Sequence, residues 1–558
     1  MQLKLRYGLI ITLLAGLISA MTVTGNPRAE GIFVLTDRTW VLSGDTIWFA
    51  LVNGHGDGNQ GNVVHVQLEN PSGENVNKVM VVTRDGTGEG YMPVPDSLGT
   101  GIYTIRAFSK TMINRETQET RVTLITVINR FDEEVISLPA RKDLKEIHPA
   151  VTGDIMPEIS RSPVKPREKV QLRITIPEDI RKSVKAAVLS ASLVPPGTED
   201  VPQFALSGIQ IMRSNGEEPV PAENDGFFLG GRVLPDPGES LPERSLVLLS
   251  IPDSIPYFDY CYTDKNGHFR FKLKKTFGTA EIFLRAISGD DQVLQVELLG
   301  DDLASESQRG EELTILPENH QQFIKEMLEA GYFMRIFSPE TQYQESFFSM
   351  GQAYPEPFYG VPDRRIYPAE FIDLQDFMEI SRELLPGVRF RNRDNKYILN
   401  IINEQERIFF PSSPLRLVNG IPFFSDHLLA RFKSSDIKYI DLIYRERVFG
   451  DISFKGVLSI TLNNLGSDWV REQKNLYVFQ VPCLQASRKP AGMRPSAYLD
   501  PNIPDFRTVF LFERLSPEDA EPVYEITSSD LIGDIQVRYQ GITHDDQLIE
   551  LTGKLKVQ

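Results

Sequence analysis

The chain has 558 residues, room for about four domains at ~150 residues each. With 41% hydrophobic and 24% charged residues it has the balance of an ordinary globular protein. Its net charge of −17 argues against a nucleic-acid binder, because phosphate recognition needs a basic surface.

In chain order, the first element is an address. Lys4 and Arg6 form a short positive region, Leu9 to Ile18 is an apolar run, and Ser19-Ala20 closes it with small residues. This is the shape of a secretory signal, so residues 1–20 read as a signal peptide cleaved after Ala20. No Cys follows, which argues against a lipid anchor. No later stretch approaches the roughly 18 apolar residues of a membrane helix, so no integral membrane segment is expected after cleavage. The only cysteines, Cys261 and Cys483, fall in what read as different domains. Export permits a bridge between them, and two buried thiols are the plainer reading. No metal-ligand spacing involves either.

Residues 28–132 read as a β-sandwich. Ile32–Leu35, Thr46–Val52, Val63–Leu68, Lys78–Thr83, Gly101–Ser109 and Arg121–Ile128 are β-rich runs separated by turn clusters such as Ser43-Gly44-Asp45 and Asn70-Pro71-Ser72-Gly73. Side chains alternate along a strand, so Trp48 and Phe49 should pack on opposite faces. The stretch Ile32 to Arg38, the stretch Ser43 to Phe49 and the closing run Leu98 to Ala107 resemble a macroglobulin-type β-sandwich over about a hundred residues. A second sandwich is expected over 150–222, with strands in Val170–Ile174 and Ala187–Leu193. A third spans 226–300, with strands at Phe228–Leu234, Leu246–Ser250 and Glu281–Ala286 and an Asn266-Gly267 hairpin turn. This third stretch resembles the transthyretin-like regulatory sandwich found beside carboxypeptidase and receptor domains.

Residues 301–345 read as an acidic linker and then a helix from Pro317 to about Tyr332, with Pro317 suited to a first helical position and Phe323, Met327 and Ala330 on one face. From Ser346 to Pro368 aromatics and prolines crowd together: Phe347, Phe348, Tyr354, Phe358, Tyr359, Tyr367. The plain reading is a packed linker, the sharper one a peptide or glycan groove. A further helix is expected after an Asp373 N-cap, stapled by Phe371 and stopped by Pro386-Gly387. Strands then follow at Tyr397–Ile402, Leu415–Val418, Tyr439–Tyr444 and Val457–Thr461.

This region, 346–465, carries the most specific signal. Leu385-Pro386-Gly387-Val388-Arg389, then Pro414 to Pro422 with Asn419-Gly420, then Asp436 to Ile443 and Gly456 to Thr461 resemble in order the plug domain of TonB-dependent outer-membrane receptors. Such plugs sit inside large barrels, and the 96 residues after Leu462 (558 minus 462) are too few for one. The sequence also departs from the family. Ile401-Ile402-Asn403-Glu404 stands where receptors have an Arg-Gly step, Asn419-Gly420 replaces Asp-Gly, and no clear energy-coupling box precedes the region. A last β domain is expected over 495–558, with strands at Thr508–Phe512, Val523–Ile526, Ile532–Tyr539 and Leu548–Val557.

No catalytic constellation emerges. None of the seven histidines stands four residues from another, and there is no Gly-x-Ser-x-Gly elbow. Asp85-Gly86-Thr87-Gly88-Glu89-Gly90 lacks the Lys-Ser/Thr of a phosphate loop, and Asp264-Lys265-Asn266-Gly267 lacks the later acids of a calcium loop. The acid pairs Asp290-Asp291 and Asp301-Asp302 are adjacent in sequence, whereas a glycosidase pair is defined by carboxylates about 5–9 Å apart across a cleft, a distance that sequence does not give. The Cys-Gly-Glu-Gln motif of thioester macroglobulins is absent. No catalytic, cofactor or metal residue is therefore named, no cofactor is expected, and the binding residues stay unassigned.

The expected fold class is multidomain and mainly β: several immunoglobulin- or macroglobulin-like sandwiches plus an α/β plug-like domain. The resemblances imply a Bacteroidota-type envelope protein at the periplasm or the periplasmic face of the outer membrane. Its expected role is non-enzymatic binding or scaffolding, with a protein partner, an outer-membrane β-barrel among the candidates. A macroglobulin-like protease inhibitor or transport accessory is the first alternative, and an uncharacterised hydrolase the second.

Overall fold

The computed structural model describes residues 31–557 except 55–61, 114–116, 140–144, 161–162, 196–206, 214–220, 225, 253–255, 275, 289–293, 301–312, 338–348, 351–355, 372, 395, 464–472, 474, 487–502 and 517. The expected signal peptide, the acidic linker 301–312 and the aromatics Phe347, Phe348 and Tyr354 lie outside the described residues. The chain is multidomain and mainly β, with strands gathered in four units.

Unit one is a sandwich. Its smaller sheet runs in the order Ile32–Thr36, Thr46–Asn53, Thr87–Pro93, and its larger one contains Asn62–Glu69, Asn75–Thr83, Gly101–Phe108 and Thr117–Ile128. The strand Thr46–Asn53 is apolar on both faces because both faces are covered. Ile47, Phe49 and Leu51 enter the sandwich core with Val64 and Ile105. Trp48, Ala50 and Val52 face outward with Phe33 and Tyr91, onto Ala186, Val188, Phe512 and Ile542 of unit two. The opposite placement of Trp48 and Phe49 is thus as alternation requires. Trp40–Leu42 and Thr87–Pro93 are strands that the sequence reading lacked. Asp85 and Gly86, at φ +49° and +74°, form the turn from Asn75–Thr83 into Thr87–Pro93. The glycine-rich stretch Asp85–Gly90 is therefore a two-residue turn followed by strand.

Unit two differs from expectation. The regions 150–222 and 495–558 were read as separate domains, yet their strands interleave. One sheet runs Val151–Asp154, Leu548–Val557, Gly533–Thr543, Val184–Val194, Val509–Leu515, and the other Pro157–Ile159, Lys169–Ile174, Val523–Thr527. The physical reason lies in Val184–Val194, which is buried along nearly its whole length and needs a neighbour on each side. Both neighbours come from the C-terminal region, more than 300 residues away in sequence. The expected second sandwich also loses Ser207–Arg213, which pairs with Thr117–Ile128 of unit one. The helix Glu318–Phe337 packs on this core through Phe323, Ile324, Met327 and Leu328. There Trp40 meets Phe323 edge-on at 5.4 Å and donates its indole N–H to the Leu193 carbonyl at 3.0 Å.

Unit three joins the sheet His268–Leu273, Phe227–Pro235, Leu294–Leu298 to the sheet Tyr257–Tyr262, Leu246–Ile251, Thr279–Ile287, Leu476–Pro482. The Asn266-Gly267 hairpin is not formed. Tyr257–Tyr262 and His268–Leu273 belong to different sheets, and the turn is a corner between them. Asp264 sets it: its Oδ1 accepts the N–H groups of Asn266 at 2.9 Å and His268 at 2.8 Å. Only Gly267 takes positive φ (+82°), whereas a type I′ hairpin turn needs it at both central residues. Cys261 and Cys483, expected in different domains, both contribute to this unit's hydrophobic cluster because Leu476–Pro482 completes its sheet. Both are free thiols.

Unit four has a mixed sheet in the order Arg364–Ile366, Ile437–Phe449, Ile452–Leu462, Leu415–Val418, Ile421–Pro422, and a small antiparallel sheet of Val388–Arg393, Lys396–Asn403 and Ile408–Phe409. The helix Phe377–Glu383 packs beside Val388–Arg393, burying Phe377 and Ile380 with Phe390, Leu399 and Leu458. Its N-cap is Asp376, which accepts the Glu379 N–H at 2.8 Å. The expected cap, Asp373, instead accepts the Ser434 hydroxyl at 3.0 Å, and Phe371 is exposed rather than stapled. Unit four leans on unit three through Phe358 stacked on Phe258 at 4.6 Å and through Tyr260, whose hydroxyl donates to Asp451 at 2.7 Å.

Candidate binding surface

Buried polar groups hold strands together within the units and between them. His65 and Glu223 meet at 2.5 Å with almost no exposure, His65 stacks on Phe108 at 5.4 Å, and Glu223 also accepts the Phe228 N–H at 2.8 Å. Burial holds the imidazole below its usual pKa, and no open path reaches it for chemistry. Arg106 and Glu69 form a fully buried pair at 2.6 Å inside unit one, joined by Thr120. In unit four Asp441 takes both forks of Arg365, at 2.7 and 2.8 Å, and the Tyr359 hydroxyl at 3.0 Å. Tyr359 and Phe358 thereby make the aromatic run a packed connection, and the described part of it lines no groove.

A second cluster sits where unit one meets unit two. Arg38 donates to Thr508 at 2.5 Å and to the Thr46 carbonyl at 2.9 Å, and Arg538 donates to the Thr36 carbonyl at 2.5 Å. Between these cations lies Asp37, fully buried, with neither oxygen hydrogen-bonded. Desolvation pushes its pKa up to about 6 against the pull of Arg38 and Arg538. The cluster is an interface lock: it is closed to substrate by the strands around it.

The other titratable groups of the described residues are buried or scattered. Burial pushes both cysteine thiols up to about 12, which leaves them protonated and unreactive. Among the described residues no cluster of His, Cys, Asp or Glu could hold a metal ion. Two hollows, one at Ile176, Val184 and Tyr539 and one at Phe33, Arg121 and Leu548, have room for a single water at most. The acid pairs Asp290-Asp291 and Asp301-Asp302 lie outside the described residues. Asp264 and His268 form an exposed contact at 3.4 Å at the corner of unit three.

The surface with a distinct chemistry is on unit four. Val388–Arg393 pairs with Lys396–Asn403 in the register Arg389↔Asn400, Arg391↔Ile398, Arg393↔Lys396. Period-two alternation therefore puts Arg389, Arg391, Arg393 and Lys396 on one face, while Phe390 and Leu399 enter the core from the other. Arg391, Arg393 and Lys396 are exposed and form no ion pair among the described residues. Arg389 lies 3.6 Å over the Phe409 ring, and Ile398 is 41% exposed between the cations. Within the two paired strands this face carries no carboxylate; Asp394, Glu404 and Glu406 stand in the turns that follow them. A compact all-positive face on a chain of net charge −17 is an attractive surface for anions.

No protein-family model matches the chain, and no curated protein matches it. Among solved structures it is similar to the native conformation of Escherichia coli alpha-2-macroglobulin, with 10% identity, 96% of this chain, 40% of that chain and a TM-score of 0.23. It is similar to a Salmonella alpha-2-macroglobulin mutant, with 10% identity, 97% of this chain, 40% of that chain and a TM-score of 0.23. It is also similar to dimeric latent PorU from Porphyromonas gingivalis, with 10% identity over 49% of this chain and 33% of that chain and a TM-score of 0.17. The chain thus spans about 40% of the length of the two macroglobulins. At such scores no function transfers from them.

The sequence named no binding residue, and the arginine face was missed although its signal is plain. Arg389-Phe390-Arg391-Asn392-Arg393 alternates before an Asp394-Asn395 turn, which is a strand with one charged face. Arg389 entered the sequence reading only as the end of a motif.

Proposed function

We propose that this chain is a non-enzymatic binding or scaffolding protein whose partner is a protein that docks on the arginine face of unit four. The carrying observation is that face: Arg389, Arg391, Arg393 and Lys396 project together, free of carboxylates, around the exposed Ile398. The buried ionic clusters, Arg106 with Glu69, Arg365 with Asp441 and Arg38 with Asp37, lie between strands and hold them together. The N-terminal Lys4, Arg6 and Leu9–Ile18 pattern supports export, and with the plug-like and macroglobulin-like sequence motifs it supports a setting at the periplasmic face of the outer membrane. No described helix is long and apolar enough to cross a membrane. In this reading unit four is a plug-like domain used as a docking module, and a β-barrel protein is the first partner to look for.

The test is affinity purification from cross-linked outer membranes with the wild-type chain and with Arg391→Glu/Arg393→Glu. Both positions are exposed, so the variant should fold. The reading predicts a defined protein partner that the wild type retains and the variant loses. Equal recovery by both chains would show that the partner binds elsewhere.

A further inference from the structure

The arginines of this face stand on a particular kind of strand. Val388–Arg393 pairs with no strand but Lys396–Asn403; the Val388 N–H is taken by the Leu385 carbonyl at 3.2 Å, so the edge left unpaired among the described residues runs over 389–393. An open edge presents unpaired backbone N–H and C=O groups, a ready template for a further strand. Proteins often guard such edges with charge, and scattered charges of both signs would do that. Here all the cations of the strand point to one face and share one sign. Such an edge repels a second copy of itself and attracts a strand bearing carboxylates.

We propose that this edge takes up an extended acidic segment of the partner protein as an added β-strand. The inference rests on the protein-binding reading above and names the chemistry of its partner. Side chains on one face of a strand recur about every 6.8 Å, and neighbouring strands lie about 4.8 Å apart. A segment with Asp or Glu at alternate positions therefore sets its carboxylates beside Arg391 and Arg393 while its backbone pairs with the edge. Opposite charges on adjacent strands attract, and the planar guanidinium fork suits a carboxylate. The guanidinium of Arg389 lies over the Phe409 ring on the far strand of the sheet, so Arg391 and Arg393 carry the charge at the edge itself. Backbone pairing supplies affinity and the charge row supplies register and choice, as in other cases of strand addition. An anionic membrane surface would also attract the cations, but it makes no use of the open backbone edge.

The experiment titrates full-length protein with end-blocked peptides of one length. In one, Glu alternates with Thr and Val; in the second, the glutamates stand in a single block; in a third, Lys replaces Glu in the alternating order. Vesicles with about 30% phosphatidylglycerol are titrated in parallel. The proposal predicts that the alternating Glu peptide binds at least about tenfold more tightly than the block or Lys peptides, and more weakly as salt rises. It predicts slowed amide exchange along residues 388–393 when that peptide is bound. Arg391→Glu/Arg393→Glu should lose at least about tenfold in affinity for the Glu peptide and gain affinity for the Lys peptide. Equal binding of alternating and block peptides, unchanged exchange at the edge, or binding to vesicles alone overturns strand addition. If the membrane partner is still lost by the same variant, the protein-binding reading survives that failure.

Discussion

Asn419 and Gly420 have φ of +52° and +79°, and they join Leu415–Val418 to Ile421–Pro422 as a two-residue hairpin. This is the backbone demand that the Asn-Gly pair signals in sequence. The structure adds a contact that sequence could not show: a Cβ on Gly420 would lie 2.1 Å from Cβ of Pro256, in unit three. Gly420→Val should therefore cost about 1–3 kcal/mol through strain and displacement of that neighbour, measured by urea unfolding. Asn419→Asp should change stability by less than about 0.5 kcal/mol, since Asp tolerates the same φ and keeps the oxygen that accepts the Leu462 N–H at 2.9 Å. Asp37 makes a second test. Its folded pKa of about 6 exceeds the 3.8 of a free side chain, so the folded protein holds this proton more tightly than the unfolded chain. The cost of the buried charge is absent below pH 3.8, grows as pH rises, and is complete above about 6. Asp37→Asn removes it. Relative to wild type the variant should gain up to about 3 kcal/mol between pH 4 and pH 7.5, read from unfolding curves at both values. A difference that is the same at both pH values contradicts a buried, proton-linked Asp37.

At the scale of elements, the strands were the most legible part of the chain. Thr46–Asn53 and Leu415–Val418 are marked closely because those runs are largely apolar and end at Asn53 and before Asn419, and Leu548–Val557 because its apolar residues recur between polar ones after the Asp545-Asp546 turn. Caps and corners were less legible, because several residues can serve. Asp373 and Asp376 both suit an N-cap, and the choice falls to Asp376 once Leu374 is buried in the core ahead of the helix. Asp376→Ala should destabilise unit four by about 1 kcal/mol in urea unfolding, through loss of the bond to the Glu379 N–H. If Asp376→Ala is silent, the helix does not start there. The Asn266-Gly267 corner failed as a hairpin for a similar reason. The Asp264 carboxylate turns the chain toward the other sheet, and only the tertiary neighbours decide between the two courses.

The whole molecule shows what local patterns leave out. Val184–Val194 looks like a strand in sequence, but nothing local tells that Val509–Leu515 and Gly533–Thr543 flank it. Pairing across that distance is set by which apolar faces remain uncovered when the chain collapses, and the same holds for Leu476–Pro482 on unit three. The candidate site was partly legible: the Arg-x-Arg-x-Arg alternation is in the sequence, while its freedom from ion pairs and its open edge appear only in the fold. The central claim is that the protein works by binding through this face. Its most direct test is a photo-cross-linking residue placed at Ile398, on the face, and separately at Met156, which is 84% exposed on unit two. Irradiated in the cells that make the protein, the chain labelled at 398 should give a discrete protein adduct that Arg391→Glu/Arg393→Glu abolishes, and the chain labelled at 156 should not give it. Adducts from 156 alone, or the same adduct from 398 with and without the charge reversal, would contradict the account.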